Sequence, residues 1–298
     1  MTPKQDPNPT TLEKIPTEAT PTALTVPPVT EKAVGAVIDY GEDSRRGFEN
    51  TTSADITLPF MKLLQVGSPE VSGSKGPERK VQGAQAGSIM NSASRELLSE
   101  LFFVPCDTRH EFVEWRQRNQ GGGFVNRHDP KSPFVLDALK KNGGSPIKLK
   151  CTAKNDKGEV ETHELKETYL LFGLILSSAD APSSEGRYAC IAFESTKIKP
   201  YKDIMYALYT KIRAPIFANR LRLATAPQSN AGGDSFNFVI KHAIEGDLIK
   251  SLIPKESPLY AEAKGFADMV SAGKAQVDYS KSQDDDATGA AEVDGKHF

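Results

Sequence analysis

The sequence has little that marks a secreted or membrane protein. Its three cysteines, Cys106, Cys151 and Cys190, are odd in number and widely spaced. This argues against a disulfide framework and favours buried thiols in a reducing compartment. No apolar run approaches the roughly 18 residues of a membrane span, and the opening MTPKQDPNPTTLEK lacks the apolar stretch of a signal peptide. We therefore expect a cytoplasmic protein without membrane contact.

The usual sequence motifs of catalytic and metal sites are missing too. The three consecutive glycines Gly121–Gly123 are not followed by the lysine of a phosphate-binding loop, and no serine nucleophile elbow is present. Cys106, His110 and His128 lack the paired cysteine or paired histidine spacing of a structural zinc site. We expect no metal, no cofactor and no enzymatic activity.

One enzymatic alternative stays open. Asp156, Glu164 and Lys166 follow the acid, acid, lysine order with which metal-dependent nucleases hold magnesium. Because Glu-x-Lys is frequent by chance, a solvated strand edge is the favoured interpretation of these residues.

Charge is unevenly distributed along the chain. The formal net charge is −2 overall, −2 for residues 1–39 and −4 for residues 278–298, which leaves +4 for the middle. A mildly basic body with an acidic tail indicates an anionic partner for the body.

The composition divides the chain into three parts. Residues 1–39 are rich in proline, contain no aromatic residue and are predicted to form a disordered arm. Residues 40–277 are predicted to form one folded domain, and residues 278–298 a disordered acidic tail.

The middle part has the pattern of a β-rich domain. The segment Leu101–Trp115 is typical of strand, turn and strand, and Tyr169–Leu176 of a strand buried on both faces. Helices are predicted at Lys199–Arg213 and Ser257–Gly273. These patterns predict a β-rich α+β fold, an OB-like β-barrel elaborated with one or two helices and flanked by disordered termini.

The first candidate binding segment is VEWRQRNQGGGFVNRHD, which spans Val113–Asp129. Arg116 and Arg118 alternate, so they would share a face of a strand, with Trp115 on the opposite face. The functional interpretation is a phosphate-contacting strand with Arg127 nearby and Phe124 as a stacking platform for bases. The alternative is an ordinary hairpin, and for Trp115 we favour a place in the core.

The second candidate segment, Ser195–Arg222, combines many cations with aromatic residues. Such interleaving suits a groove that follows a nucleic-acid backbone, although a solvated helix with a tyrosine-rich buried face gives a similar pattern. The candidate phosphate and base contacts here are Lys197, Lys199, Tyr201, Lys202, Phe217, Arg220 and Arg222.

The last residues, DDDATGAAEVDGKHF, form an acidic segment that ends in Phe298. An apolar residue beside a carboxylate is a feature that a basic-rimmed pocket on a partner can capture. A solubilising tail is the alternative. This arrangement resembles the single-stranded DNA-binding proteins of bacteria and viruses, including the replication protein of short-tailed coliphages, which join an OB-fold core to an acidic tail ending in phenylalanine.

Three internal segments are similar to a second group, a family encoded in the replication regions of tailed bacteriophages and presumed to bind single-stranded DNA. They are ITLPFMKLLQVGSPEV, VEWRQRNQGGGFV and CIAFESTKIKPYKDIM, within roughly residues 50–240. The resemblance implies a tailed-bacteriophage single-stranded DNA-binding protein.

We therefore expect sequence-independent binding of single-stranded DNA in phage replication or recombination. Asp284, Asp285, Asp286 and Phe298 would recruit replication proteins such as a DNA polymerase or helicase, and the chain could form a homo-oligomer. The alternatives are the metal-dependent nuclease and a structural or interaction protein of the virion.

Overall fold

The computed structural model describes residues 57–279 apart from 75, 118–121, 155–157, 159, 212, 231–232 and 245–246. The predicted arm at 1–39 and nearly all of the predicted tail lie outside these residues, so their boundaries stay predictions. All described residues belong to one unit, Asn50–Phe298. Within the described ranges, no helix combines the length and apolar character needed to span a membrane.

The described elements are mostly strands, which confirms a β-rich α+β fold. The strands are β1 (Thr57–Leu58), β2 (Met61–Leu63), β3 (Ile89–Asn91), β4 (Leu97–Leu98), β5 (Leu101–Arg116), β6 (Phe124–His128), β7 (Leu149–Lys154), β8 (Val160–Leu176), β9 (Tyr188–Glu194), β10 (Leu221–Asn230), β11 (Gly233–His242) and β12 (Gln276–Val277). The helices are α1 (Pro69–Ser72), α2 (Pro133–Lys141), α3 (Ile198–Lys211) and α4 (Pro258–Ser271).

A long antiparallel ribbon of β5 and β8 forms the centre of the main sheet. The sequence predicted strand, turn and strand for Leu101–Trp115, but β5 is one continuous strand with a register shift between Pro105 and Asp107. Gly173 lies opposite this bulge, and a Cβ there would come within 2.1 Å of the Val104 carbonyl oxygen. Only glycine fits at that position, so the bend in β5 depends on it.

The strand order around the ribbon is that of a Greek key. β9 pairs with the C-terminal half of β8, and β10 returns through α3 to pair with the start of β5, which gives the order β10-β5-β8-β9. β11 extends the sheet beyond β10, while β6 and β7 widen the other half of the ribbon. Closure into a barrel is not confirmed, because β9 and β11 are not paired within the described part of the chain.

The segment around β2 lies in the opening between β9 and β11. Phe60 forms a parallel bridge with Cys190, whose N–H donates to the Pro59 carbonyl at 2.9 Å. Gln65 continues the contact with its side-chain amide, which accepts from the Phe236 N–H at 2.8 Å and donates to the Phe236 carbonyl at 3.0 Å. One backbone bridge and one side chain thus span the opening.

Two apolar cores lie on opposite faces of the sheet, each covered by a helix. α3 contributes Tyr201, Ile204 and Leu208 to the first core, which is shared with β5, β8, β9, β10 and β11. α4 begins at the N-cap Ser257, whose hydroxyl accepts from the Tyr260 N–H at 3.2 Å, with Pro258 at the first helical position. It covers the second core, on the outer face of β8 and β9, with side chains Leu259, Ala263, Phe266 and Val270.

Candidate nucleic-acid interface

Helix α3 turns a row of cations and tyrosines toward solvent. Tyr206 and Tyr209 are 70% and 89% exposed, and Lys199 and Lys202 are exposed as well. Their spacing of three, four and three residues places all four on one helix face. Since Ile204 and Leu208 hold the opposite face in the core, the tyrosines are presented on a fixed support.

A stack of side chains continues this row across the sheet. The Lys202 ammonium lies 4.9 Å from the centroid of the Tyr169 ring, and that ring stacks on His110 with centroids 4.2 Å apart and planes 3° apart. Burial and a 3.0 Å hydrogen bond from the Tyr169 hydroxyl to Glu167 raise the pKa of Tyr169 to about 12. Burial lowers the pKa of His110, partly offset by Glu167, which favours a neutral imidazole at neutral pH.

The stack ends at a cleft of about 350 Å³ beside β5. The edge of β5 pairs with β10 over Leu101–Phe103 and with β6 over Phe112–Trp115, which leaves the cleft between these partners. It is lined on the α4 face of the sheet by Arg109, which lies over the Phe172 ring, and by Glu111, Arg127, Gly273, Ala275 and Gln276. His110, His128 and Asp129 line it at the open edge of β5. Neither arginine forms an ion pair with any other described residue, so both can neutralise a bound anion.

A buried carboxylate lies at the base of this cleft. Glu111 accepts a hydrogen bond from the Tyr279 hydroxyl. Burial raises its pKa, although Arg127 and Arg109 act in the opposite direction. The hydrogen bond holds Tyr279, the last described residue, against the carboxylate that lines the cleft.

A second polar network fixes the strands on the other face of β5. The Glu114 carboxylate lies 2.6 Å from Nδ1 of His163 and 2.7 Å from Nε2 of His128, and Cys151 Sγ is 3.8 Å away. Burial opposes ionisation of Glu114, but the two imidazole contacts outweigh it and lower its pKa. Strands β5, β6 and β8 are thereby joined at Glu114, and its partner His128 also lines the cleft.

The exposed row on α3, the Lys202, Tyr169 and His110 stack and the cleft together form a surface that we call the band. Three residues predicted from the sequence lie on it. Arg127 lines the cleft, while Lys199 and Lys202 lie on the exposed face of α3. Lys197 is half-buried in the turn Ser195–Lys197 that leads into the helix.

Arg116 and Phe124 lie at the far end of β5 and β6. Arg116 pairs with Glu161, with Nε 3.3 Å from the carboxylate. Phe124 is 38% exposed, but its ring stacks on Tyr279 at 5.3 Å and meets the edge of Trp115 at 5.9 Å. One face of Phe124 is therefore already covered, and Trp115 is buried as predicted.

The other described candidates are occupied by contacts within the domain. Tyr201 is only 6% exposed, and Phe217 packs on Tyr260 with centroids 5.3 Å apart. Arg220 is buried beside the Leu252 carbonyl, and Nε and Nη2 of Arg222 lie 2.7 and 2.6 Å from Glu100. We do not retain these four in the proposed interface. Arg222 pairs with the start of β5 and Arg116 ends it, so roughly 45 Å separate them and they do not share one groove.

Several predicted residues lie outside the described ranges. They are Arg118, Asp156, Asp284, Asp285, Asp286 and Phe298. Glu164 and Lys166 are half-buried on β8. The described residues contain no group of three or more histidine, cysteine or acidic side chains placed to hold a metal.

Sequence reasoning did not select Tyr206 and Tyr209 as contacts, considered His110 only as a zinc ligand, and did not single out Arg109 or Tyr169. The helical spacing to Ile204 and Leu208 assigns Tyr201 to the buried face and the other two tyrosines to the exposed face. Arg109 and Tyr169 carry no such local signal, because strand pairing brings them to the band.

Comparison with known proteins identifies the family of this chain. No curated protein matches the chain, and no solved structure does. The family model of Pam3 phage gp34-like protein matches residues 29–276. Since this match spans most of the sequence, the chain belongs to the Pam3 phage gp34-like protein family.

Proposed function

We propose that this chain is a sequence-independent single-stranded DNA-binding protein that acts in phage replication or recombination and has no enzymatic activity. The observation that carries the proposal is the band formed by Tyr206 and Tyr209, the Lys202, Tyr169 and His110 stack, and the Arg109 and Arg127 cleft. A family named after a phage protein fits this setting.

The chemistry of the band suits unpaired nucleic acid. Exposed aromatic faces stack on bases of any sequence, and nearby cations neutralise the phosphates that connect the bases. A duplex hides its base faces inside the stack, so a surface that relies on tyrosine stacking should prefer single strands. Tyr206 and Tyr209 have the exposure that such stacking needs.

We further propose that the five strands β5, β8, β9, β10 and β11 form an OB-like, partly open barrel. The Greek-key order and the bridging of the opening by the β2 segment support this. OB folds commonly bind oligonucleotides on the outer face of their second and third strands, here β8 and β9. That face lies under α4, where Phe266 stacks on Tyr188 at 4.7 Å, which is why we assign binding to the exposed face of α3 and the open edge of β5.

The acidic segment has a role in the same proposal. Asp284, Asp285, Asp286 and Phe298 would bind a replication partner such as a polymerase or helicase. Because Tyr279 contacts Glu111 in the cleft, we propose that the segment after it occupies the empty cleft until DNA displaces it.

The first experiment is fluorescence anisotropy of a labelled oligothymidine at several salt concentrations, with a duplex of equal length in parallel. The proposal predicts salt-sensitive binding of the single strand and much weaker binding of the duplex. Absence of binding to the single strand at low salt would refute it.

The second experiment assigns the site with the double variant Tyr206→Ala and Tyr209→Ala. Loss of stacking should weaken binding by roughly 2–4 kcal/mol at an unchanged salt slope, while Arg109→Ala with Arg127→Ala should weaken binding and flatten the slope. Lys264→Ala on the exposed side of α4 is the matched control. Equal affinity of the folded tyrosine variant and the wild type would move the site away from α3.

A further inference from the structure

A groove of about 290 Å³ lies between α3 and the β10–β11 hairpin, on the side of the helix away from the Tyr169 stack. α3 provides Lys199, Pro200 and Asp203, and the turn Ser195–Lys197 before it provides Thr196. The hairpin provides Ala226, Pro227, Gln228, Asn237, Phe238 and Val239. None of these side chains belongs to the cleft or to the stack.

The lining combines an apolar floor with a few polar groups. Pro227 and Val239 are exposed apolar residues, and Val239 has 38% of its surface open to solvent. Asn237 donates to the Thr196 carbonyl at 3.1 Å and to Gln228 Oε1 at 2.9 Å, which fixes the Gln228 side chain. The amide nitrogen of Gln228 has no partner among the described residues, so it is an available donor at the rim of the groove.

These features match the parts of a nucleotide. A base can rest on Pro227 and Val239, its carbonyl oxygen can accept from the Gln228 amide, and its phosphate can lie near the Lys199 ammonium. The Asp203 carboxylate on the same rim disfavours a phosphate at its end of the groove, which directs the phosphate toward Lys199.

The groove is continuous with the tyrosine row along the helix. Lys199 and Asp203 are one turn apart, and Tyr206 occupies the next turn on the same side of α3. A strand stacked on Tyr206 and Tyr209 therefore has, on one side of the helix, the Lys202, Tyr169 and His110 stack that leads to the cleft, and this groove on the other.

We infer that the groove is a second single-stranded DNA subsite, which holds one nucleotide on the hairpin side so that the strand crosses α3 between two anchoring points. This inference rests on the proposed function and extends it by giving the strand a path. Because every base presents a hydrogen-bond acceptor, the Gln228 amide is compatible with sequence-independent binding.

The test compares Gln228→Ala with the wild type on oligothymidines of roughly 4 to 16 nucleotides, the range of site sizes in OB folds. Gln82→Ala, at an exposed loop glutamine, is the matched control. Loss of the donor should weaken binding of the longer oligomers by roughly two- to tenfold and that of the shortest ones less. Equal losses for Gln228→Ala and the control at every length would overturn the inference.

A variant that fills the groove and a crosslinking experiment test the subsite without relying on the Gln228 hydrogen bond. Val239→Trp fills the groove and should reduce affinity for long oligomers further. Photo-crosslinking of an oligothymidine that carries 4-thiothymidine should label peptides from 226–239 as well as the peptide with Tyr206 and Tyr209. Labelling of α3 alone, with wild-type affinity in Val239→Trp, would reject the subsite and leave the proposed function standing. No binding by the wild-type chain would reject both.

Discussion

Glu111 and Glu114 lie three residues apart on β5 and are both buried, yet their surroundings shift their pKa values in opposite directions. Glu114 holds an imidazole on each carboxylate oxygen, and its pKa is lowered from 4.5 despite burial. Glu111 is on the other face with the Tyr279 hydroxyl, and burial raises its pKa above 4.5. At neutral pH, ionised Glu114 therefore stabilises the fold, and ionised Glu111 destabilises it.

Replacement of Glu114 by glutamine should lower the free energy of unfolding by roughly 1.5–3 kcal/mol at about pH 7. The folded pKa is the lower one, so the carboxylate's contribution is complete above 4.5 and is lost as the pH falls through the folded value. The difference from wild type should therefore shrink on acidification. Urea titrations across this range measure it, with Glu256→Gln at an exposed position as the control. A difference that stays constant with pH would mean that the carboxylate charge is not the cause.

Replacement of Glu111 by glutamine should have the opposite sign. The folded pKa is the higher one, so the contribution of Glu111 is complete below 4.5 and is lost as the pH rises through the folded value. A neutral amide that still accepts from Tyr279 avoids this loss, and the variant should melt at a higher temperature than wild type near neutral pH and at an equal temperature in acid. A lower melting temperature at neutral pH would show that the arginines compensate the buried charge fully.

At the scale of elements, the two faces of α3 have different roles. One face packs into the core, and the other is exposed. Leu208 is buried with Tyr201 and Ile204, whereas the side chain of Tyr209 at the next position is 89% exposed. The same helix therefore anchors the core and presents the surface proposed to bind DNA.

Leu208→Ala should cost roughly 2–5 kcal/mol of unfolding free energy, because it leaves a cavity in the core. Tyr209→Ala should change stability by less than about 0.5 kcal/mol, since the side chain is solvated. Chemical denaturation of both variants measures the contrast. A large loss of stability in Tyr209→Ala would show that this tyrosine is a packing residue and weaken its assignment to DNA.

Gln65 is the side chain that continues the sheet across the opening between β9 and β11. Gln65→Leu should leave the N–H and carbonyl of Phe236 without their partner, at a cost of roughly 1–3 kcal/mol, and should speed hydrogen exchange of the Phe236 amide. Gln82→Leu is the control at an exposed site. Unchanged exchange at Phe236 would mean that β11 is held by β10 alone.

At the scale of the whole molecule, charge is divided between the folded body and the acidic segment. The cleft carries two arginines without ion pairs to other described residues, and the segment with net charge −4 begins beside it. In the proposed competition, the segment raises the local concentration of negative charge at the site where a DNA phosphate would bind.

Deletion of residues 284–298 should leave the fold intact and tighten binding of oligothymidine by roughly two- to fivefold at low salt, with no difference at high salt. Anisotropy titrations at several salt concentrations measure this. The variant in which Asp284, Asp285 and Asp286 become asparagine keeps the length and should reproduce most of the effect. Weaker binding after deletion would contradict competition and indicate that the segment assists DNA binding.

Helices α3 and α4 could be predicted from local sequence alone. The predicted helix at Lys199–Arg213 corresponds to α3, and that at Ser257–Gly273 to α4, because each has its own apolar periodicity and α4 has a serine cap and a proline start. β5 was predicted as two strands because Pro105 and Asp107 are typical of a turn. The pairing with β8 accommodates them as a bulge opposite Gly173, a tertiary effect with no local signal.

The sequence by itself determined the β-rich class, the apolar stripe of α3 at Ile204 and Leu208, and the three buried thiols. It also placed Arg127, Lys199 and Lys202 among the candidate contacts. These properties follow from spacing and hydrophobicity along a short stretch of chain. Only the tertiary structure decided that Arg222 is held by Glu100, that Phe124 is covered by Tyr279, and that Arg109, His110 and Tyr169 join the exposed tyrosines in one band. The physical reason is that ion pairs, ring stacks and clefts arise from strand register and from helices packed across a sheet, between residues far apart in the chain.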